Sequence, residues 1–283
     1  MVLETLVSPW KAETHPKKML FFGFLYASIG LFLGNWIFNE HASLVMVFLT
    51  TMAALPLVYN IIKVEEKKDL SDMKEQNLMM EHSKALLVFM FFFIGATIAF
   101  AFWYVVLPSN MIINIFEIQT STITDLRASV TGQATGKGRI FFDILSNNLK
   151  VLIFCILFSF LYGVGAIFIL TWNASVIGVA IGDLIRTGIY EIEKKFFLFS
   201  AHEYVGITVY GLLRYALHGV IEIGGYFVAG LAGGIISIAA IRHDFGTKKY
   251  EKIILDASLL LLLSLFLIFF AAFLEVYVTP LLF

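Results

Sequence analysis

The chain has 283 residues, of which 59% are hydrophobic, 16% aromatic and 14% charged, and its formal net charge is -1. That balance gives no sign of a nucleic-acid partner, and with a mean hydropathy of +0.87 it points to a polytopic helical membrane protein. Unbroken apolar runs near the ~20 residues that cross a bilayer exclude barrel strands, and the single cysteine, Cys155, leaves no intrachain disulfide or thiolate metal cluster.

Glu4, Lys11, Glu13, Lys17 and Lys18 precede the first apolar run, which lacks a small-residue cleavage site and reads as a retained helix. The first two spans are expected over Met19 to Phe38 and Ser43 to Ile62, joined so closely that they form an antiparallel hairpin. The charged segment Lys63 to Lys84 carries Leu70, Met73 and Met80 at helical spacing. It reads as a solvated surface helix continuing two membrane helices, with partner docking as the alternative.

A third span runs from Ala85 to Leu107 and stops at Pro108. The connection that follows is expected to be flexible over Gln119 to Gly138 and interfacial over Arg139 to Leu145. A fourth span covers Leu149 to Leu170. Trp172-Asn173 then interrupts the pattern, and Ala174 to Ile185 is too short to cross alone. The apolar run from Tyr204 to Ile241 is too long, since one helix of that length extends roughly 57 Å against a hydrocarbon core of about 30 Å. Breaks are therefore expected at Asn173 and at Gly219, with short broken or re-entrant helices between residues 174 and 219 and full spans over Val220 to Ile241 and Ile253 to Tyr277. The fold class is all-α with six to seven crossings.

Lysine and arginine near the span ends set orientation. Lys17 and Lys18, the Lys63 to Lys84 segment, and Arg242 with Lys248, Lys249 and Lys252 are all expected on the inner side, which puts the N-terminus in the cytoplasm and the chain in the cell membrane.

Ionisable residues inside apolar runs carry the functional signal, because a carboxylate in hydrocarbon costs roughly 2.5–3.5 kcal/mol and is kept only where it faces protein or water. His218 and Glu222 lie one helical turn apart, and Glu275 stands alone in the last span. Counted from the lysine cluster that separates their helices, Glu222 and Glu275 climb to one depth. A polar cluster of His218, Glu222, Glu275 and one of Asn147 or Asn148 is expected, with Arg214 and Asp183 as further candidates. It reads as a structural hydrogen-bonded lock, a binding site for substrate, lipid or partner, a zinc site, or an acid–base pair. No His-Glu-x-x-His, nucleophile elbow or phosphate loop is present, so no catalytic residue, metal or cofactor is assigned. The pairs Gly30/Gly34, Gly178/Gly182 and Gly230/Gly234 have small-xxx-small spacing, which serves internal packing or a homo-oligomer contact.

From Asn147-Asn148, through Gly163-Val164-Gly165 and Trp172-Asn173, to His218-Gly219-Val220-Ile221-Glu222 and the terminal Glu275-Val276-Tyr277-Val278-Thr279-Pro280, the second half resembles the stage II sporulation protein M family. Two departures stand out: Leu217 replaces a common proline before His-Gly, and Asn173-Ala174 replaces Asn-Gly. The resemblance implies a multi-pass component that recruits or anchors wall-remodelling enzymes during engulfment in spore formers, with no catalysis of its own. The organisation expected is residues 1–146 as N-terminal helices with their loops and residues 147–283 as the membrane core. The leading reading is a scaffold that contacts membrane lipids and an envelope protein. The alternatives are a transporter or lipid-handling protein and an intramembrane hydrolase.

Overall fold

A computed structural model of the protein describes residues 9–69, 75–131, 136–162, 165–194, 201–241 and 246–282. The described chain is helical: α1 (Pro9–Thr14), α2 (Lys18–Ile37), α3 (Ala42–Asp69), α4 (Glu75–Val106), α5 (Ser109–Ile115), α6 (Glu117–Thr131), α7 (Lys137–Tyr162), α8 (Ala166–Lys194), α9 (Ala201–Ile241), α10 (Lys248–Phe273) and, after a π-helical turn over Leu274–Val278, α11 (Thr279–Leu282). Seven of these helices, α2, α3, α4, α7, α8, α9 and α10, are long and apolar enough to cross a membrane. In lipid only such internally bonded backbones can span.

α9 is the axis of the bundle. Its span Leu217–Ile241 is 78% buried, against 22% for the span of α7 and 33% for that of α10. It packs most extensively on α10 and α7, and also touches α8, α4 and α3. On the other side α2 lies against α3 and α4. There Gly23 and Gly95 permit backbone contact: a Cβ on Gly23 would sit 2.1 Å from the Phe92 carbonyl oxygen, and one on Gly95 2.0 Å from that of Leu20. The glycine pairs pack internally: Gly30 and Gly34 on Met46 of α3, Gly178 and Gly182 on Phe100, Ala101 and Tyr104 of α4, and Gly230 on Ala166. Close approach of this kind supplies the dispersion contact that stands in for the hydrophobic effect between helices in lipid.

Several expectations are corrected. The stretch expected to be flexible from Gln119 is helical as far as Thr131, residues 132–135 lie outside the described residues, and the connection is tied down by hydrogen bonds. Ser43 Oγ donates to the Ile115 carbonyl at 2.9 Å, Gln119 Nε2 donates to the Ser43 carbonyl and to Ser175 Oγ, and Arg186 donates to the carbonyls of Tyr104 and Leu107. Arg139 to Leu145 is the first part of α7 and not a separate interfacial helix. The fourth span ends at Tyr162 instead of Leu170; Gly165, where a Cβ would meet the Phe158 carbonyl at 2.3 Å, marks the turn.

The breaks at Asn173 and Gly219 are absent. α8 runs unbroken through Asn173, whose Nδ2 donates to the Ile169 carbonyl one turn back at 3.0 Å and so satisfies itself within the helix. α9 runs for 41 residues, about 62 Å, and its helix continues through Gly219.

The segment from Lys63 to Lys84 does continue two membrane helices, yet its inner face is not solvated: Glu65, Glu66 and His82 are buried.

Candidate functional site

Three helices deliver the polar residues. α9 carries His218, Glu222 and Tyr226 at i, i+4 and i+8, on one face. α7 brings Asn148, which is buried, while its neighbour Asn147 is exposed on the outer face and takes no part. The π-helical turn at the end of α10 brings Glu275, and Thr279 follows it.

That turn has a cause in the sequence. Pro280 has no N–H, and its ring crowds the carbonyl four residues back, so a regular α-turn is disfavoured there. The backbone widens instead, and Thr279 N–H donates to the carbonyl of Leu274, five residues back. Phe141, Ala272 and Val276 close over the junction between α7 and α10.

Tyr226 donates its hydroxyl to Glu222 Oε1 at 2.8 Å. His218 Nε2 stands 3.9 Å from Glu275 Oε2, an ion-pair distance too long for a hydrogen bond. The Glu275 side chain is 33% exposed and that of His218 11%. The two carboxylates are near enough to repel one another, and the Asn148 carboxamide faces Glu222. Among the described residues Thr279 Oγ1 is enclosed and makes no hydrogen bond, and Asn148 Nδ2 is enclosed with the Glu222 carboxylate beside it. The cluster thus sets two carboxylates against one imidazole and is partly exposed at Glu275.

Of the other candidates, Asp183 follows Gly182 on the stretch of α8 that packs against α4, a different helix pair. The Arg214 side chain lies outside the described residues. Among the described residues no group of three or more His, Cys, Asp or Glu converges as metal ligands would. Sequence reasoning missed Tyr226 and Thr279. The spacing of Tyr226, four residues after Glu222, was the available signal for the first; the Glu275-x-x-x-Thr279-Pro280 motif was the signal for the second.

Residues 86–280 match the family described as Stage II sporulation protein M. The chain belongs to that family. The stage II sporulation protein M match begins before the second half, at Leu86, and takes in α5 and α6 as well as every residue of the polar cluster. A protein of Methanocaldococcus jannaschii, described as uncharacterized, is 30% identical over 143 residues, which cover 50% of this chain and 71% of the relative. No solved structure matches.

Proposed function

We propose that the protein is a membrane-embedded scaffold of an envelope-associated complex, anchoring a partner that performs the chemistry. The family match over residues 86–280 carries this reading. Two features support it. The spanning helices are continuous over the described residues, and the gap lined by Val58, Ile62, Phe89, Ser159, Phe227 and Gly230 has room for about one water molecule, so the interior is built as a packed body. The bundle sits in the cell membrane with its lysine-rich end, including the N-terminus, in the cytoplasm. The core over residues 147–283 holds the polar cluster, and residues 1–146 buttress it.

Crosslinking in native membranes followed by purification of the tagged chain tests this. Recovery of an envelope enzyme or ATPase at constant stoichiometry is the expected outcome. A chain that purifies alone, and whose loss alters uptake of one solute, overturns it.

The enclosed Thr279 Oγ1, without a partner among the described residues, and the partly exposed Glu275 favour one second reading, in which the cluster holds a polar group of a lipid or solute. Flux or lipid movement in vesicles that is abolished by Glu222→Gln supports that reading; unchanged flux removes it.

A further inference from the structure

The charge of the polar cluster does not close on its own residues. One imidazole, even when protonated, balances one carboxylate, and two stand beside His218. Glu222 is served by neutral groups, the Tyr226 hydroxyl at 2.8 Å and the Asn148 carboxamide. Glu275 has no such donor among the described residues. Its ion-pair neighbour there is His218 at 3.9 Å, no described lysine or arginine stands within ion-pair distance, and its side chain is 33% exposed. The imbalance therefore falls on Glu275, where the cluster meets its surroundings.

Thr279 is an independent sign. A helical threonine commonly returns its hydroxyl to the carbonyl one turn back. Thr50, Thr51, Thr97, Thr122 and Thr124 all do so. Thr279 is only 3% exposed, yet its Oγ1 makes no hydrogen bond among the described residues, not even to the Glu275 carbonyl four residues back. The π-helical turn accounts for this, since it pairs the Thr279 N–H with Leu274 and displaces the carbonyl that a regular α-turn would offer the hydroxyl. Four residues apart, Glu275 and Thr279 share one side of the last helix. Glu275 faces His218 of α9, and α11 also packs on α9, so the hydroxyl is directed to that same junction. A buried hydroxyl without a partner calls for one.

The group that fits both residues is a cation that donates hydrogen bonds. Among the described residues no three metal-ligating side chains converge, which argues against a metal ion. A primary ammonium has three donors, enough for the Glu275 carboxylate, the Thr279 oxygen and an acceptor of its own molecule. Exposed Phe273, Leu281 and Leu282 flank this part of the helix, a setting for lipid.

We propose that Glu275 and Thr279 bind a primary ammonium group, borne by an aminophospholipid headgroup or by a soluble amine, with the exposed Glu275 side chain turning outward to admit it. Glu222 and His218 set the charge behind it. This rests on the reading of the cluster as a holder of a polar group of a lipid or solute.

The full chain, purified in detergent, is titrated with phosphatidylethanolamine and with phosphatidylcholine of the same acyl chains, and retained lipid is read by native mass spectrometry. The quaternary headgroup keeps the charge but has no N–H to donate. Wild type is expected to hold phosphatidylethanolamine about tenfold more tightly. Glu275→Gln and Thr279→Val should abolish the preference, whereas Thr279→Ser, which preserves the hydroxyl, should keep it. If Thr279→Val does not fold, Glu275→Gln, at a partly exposed position, decides. Ethylammonium chloride separates the two sources: binding of this salt that Glu275→Gln abolishes, without a lipid preference, supports the soluble amine. Equal retention of both lipids with no binding of ethylammonium, or a preference that neither Glu275→Gln nor Thr279→Val alters, overturns the proposal. In that event phosphatidylglycerol retention or flux that depends on Glu222 would leave the cluster a binding site for another chemistry, and independence from Glu222 would remove that reading too.

Discussion

The two polar clusters of this molecule are satisfied in opposite ways. At the lysine-rich end, Glu65 is served by both Lys68 and His82 at hydrogen-bonding distance. Within the spans, Glu222 has Tyr226 and Asn148 beside it, while among the described residues Glu275 has His218 at 3.9 Å and remains a third exposed. A network that is fully paired serves architecture, because removal of any member strands a buried charge. A cluster left acidic and open is costly in lipid, and something outside the described contacts must repay it. The second cluster is therefore the better place to look for function, and the first the better place to look for fragility.

The largest test of that contrast is Lys68→Met. It leaves Glu13 and Glu65 without their ammonium, and a loss of about 3–5 kcal/mol is expected, read as unfolding in a detergent or SDS titration. A loss below ~1 kcal/mol would put the lysine-end network in the same open class as the other.

Next comes Tyr226→Phe, which leaves Glu222 with Asn148 alone of its two described polar neighbours and should cost about 1–3 kcal/mol in the same titration. A negligible cost would mean that water already reaches Glu222, and the second cluster would be more open than described. Glu275→Gln, by contrast, should change stability by no more than about 0.5 kcal/mol, as for a residue with no close partner, while reducing the yield of crosslinked partner. If it destabilises strongly, the comparison fails.

The smallest effect is one of pH on α1. Burial, only partly offset by Lys68, holds the Glu13 carboxyl above its ordinary value of 4.5, with Glu65 adding repulsion. A raised folded value means that the docked helix binds the proton more tightly than the free one. Its contribution is fully present below the ordinary carboxylate value and is lost as pH rises through the raised one. Acidification from neutral toward 4.5 should therefore tighten α1, visible as slower proteolysis at Lys11, and Glu13→Gln should remove the dependence. Loosening on acidification would reverse the sign and exclude Glu13 as the responsible group.

How much of this could be read in advance differs by residue, for physical reasons. His218, Glu222 and Glu275 stood out because a lone ionisable group in an apolar run has few explanations, and counting helical rise from a shared lysine cluster placed both carboxylates together. Glu65 and His82 did not stand out. In a segment already rich in charge, composition cannot separate a buried group from a solvated one, and a contact such as that of Lys68 with Glu13, 55 residues earlier, is not visible in the local sequence. Six to seven crossings were expected from hydropathy and charge placement, and seven helices are long and apolar enough to span. The break at Gly219 was wrongly expected, because length arithmetic assumed that so long an apolar helix must bend at its glycine, whereas α9 continues through it. Tyr226 was hidden for another reason: in an apolar helix an aromatic residue reads as packing, and its hydroxyl goes unnoticed until an acceptor is found one turn away.

The widened turn ahead of Pro280 accommodates one residue more than an α-helix would over the same length. Deleting a single residue between Phe273 and Thr279 would let the turn close to a regular α-helix with Thr279 kept near its place, whereas the same deletion within the regular part of α10 would rotate everything beyond it by about 100°. The widened turn is thus a spacer of one residue, a place in the last helix where a loss could be absorbed without turning Thr279 away from its neighbours.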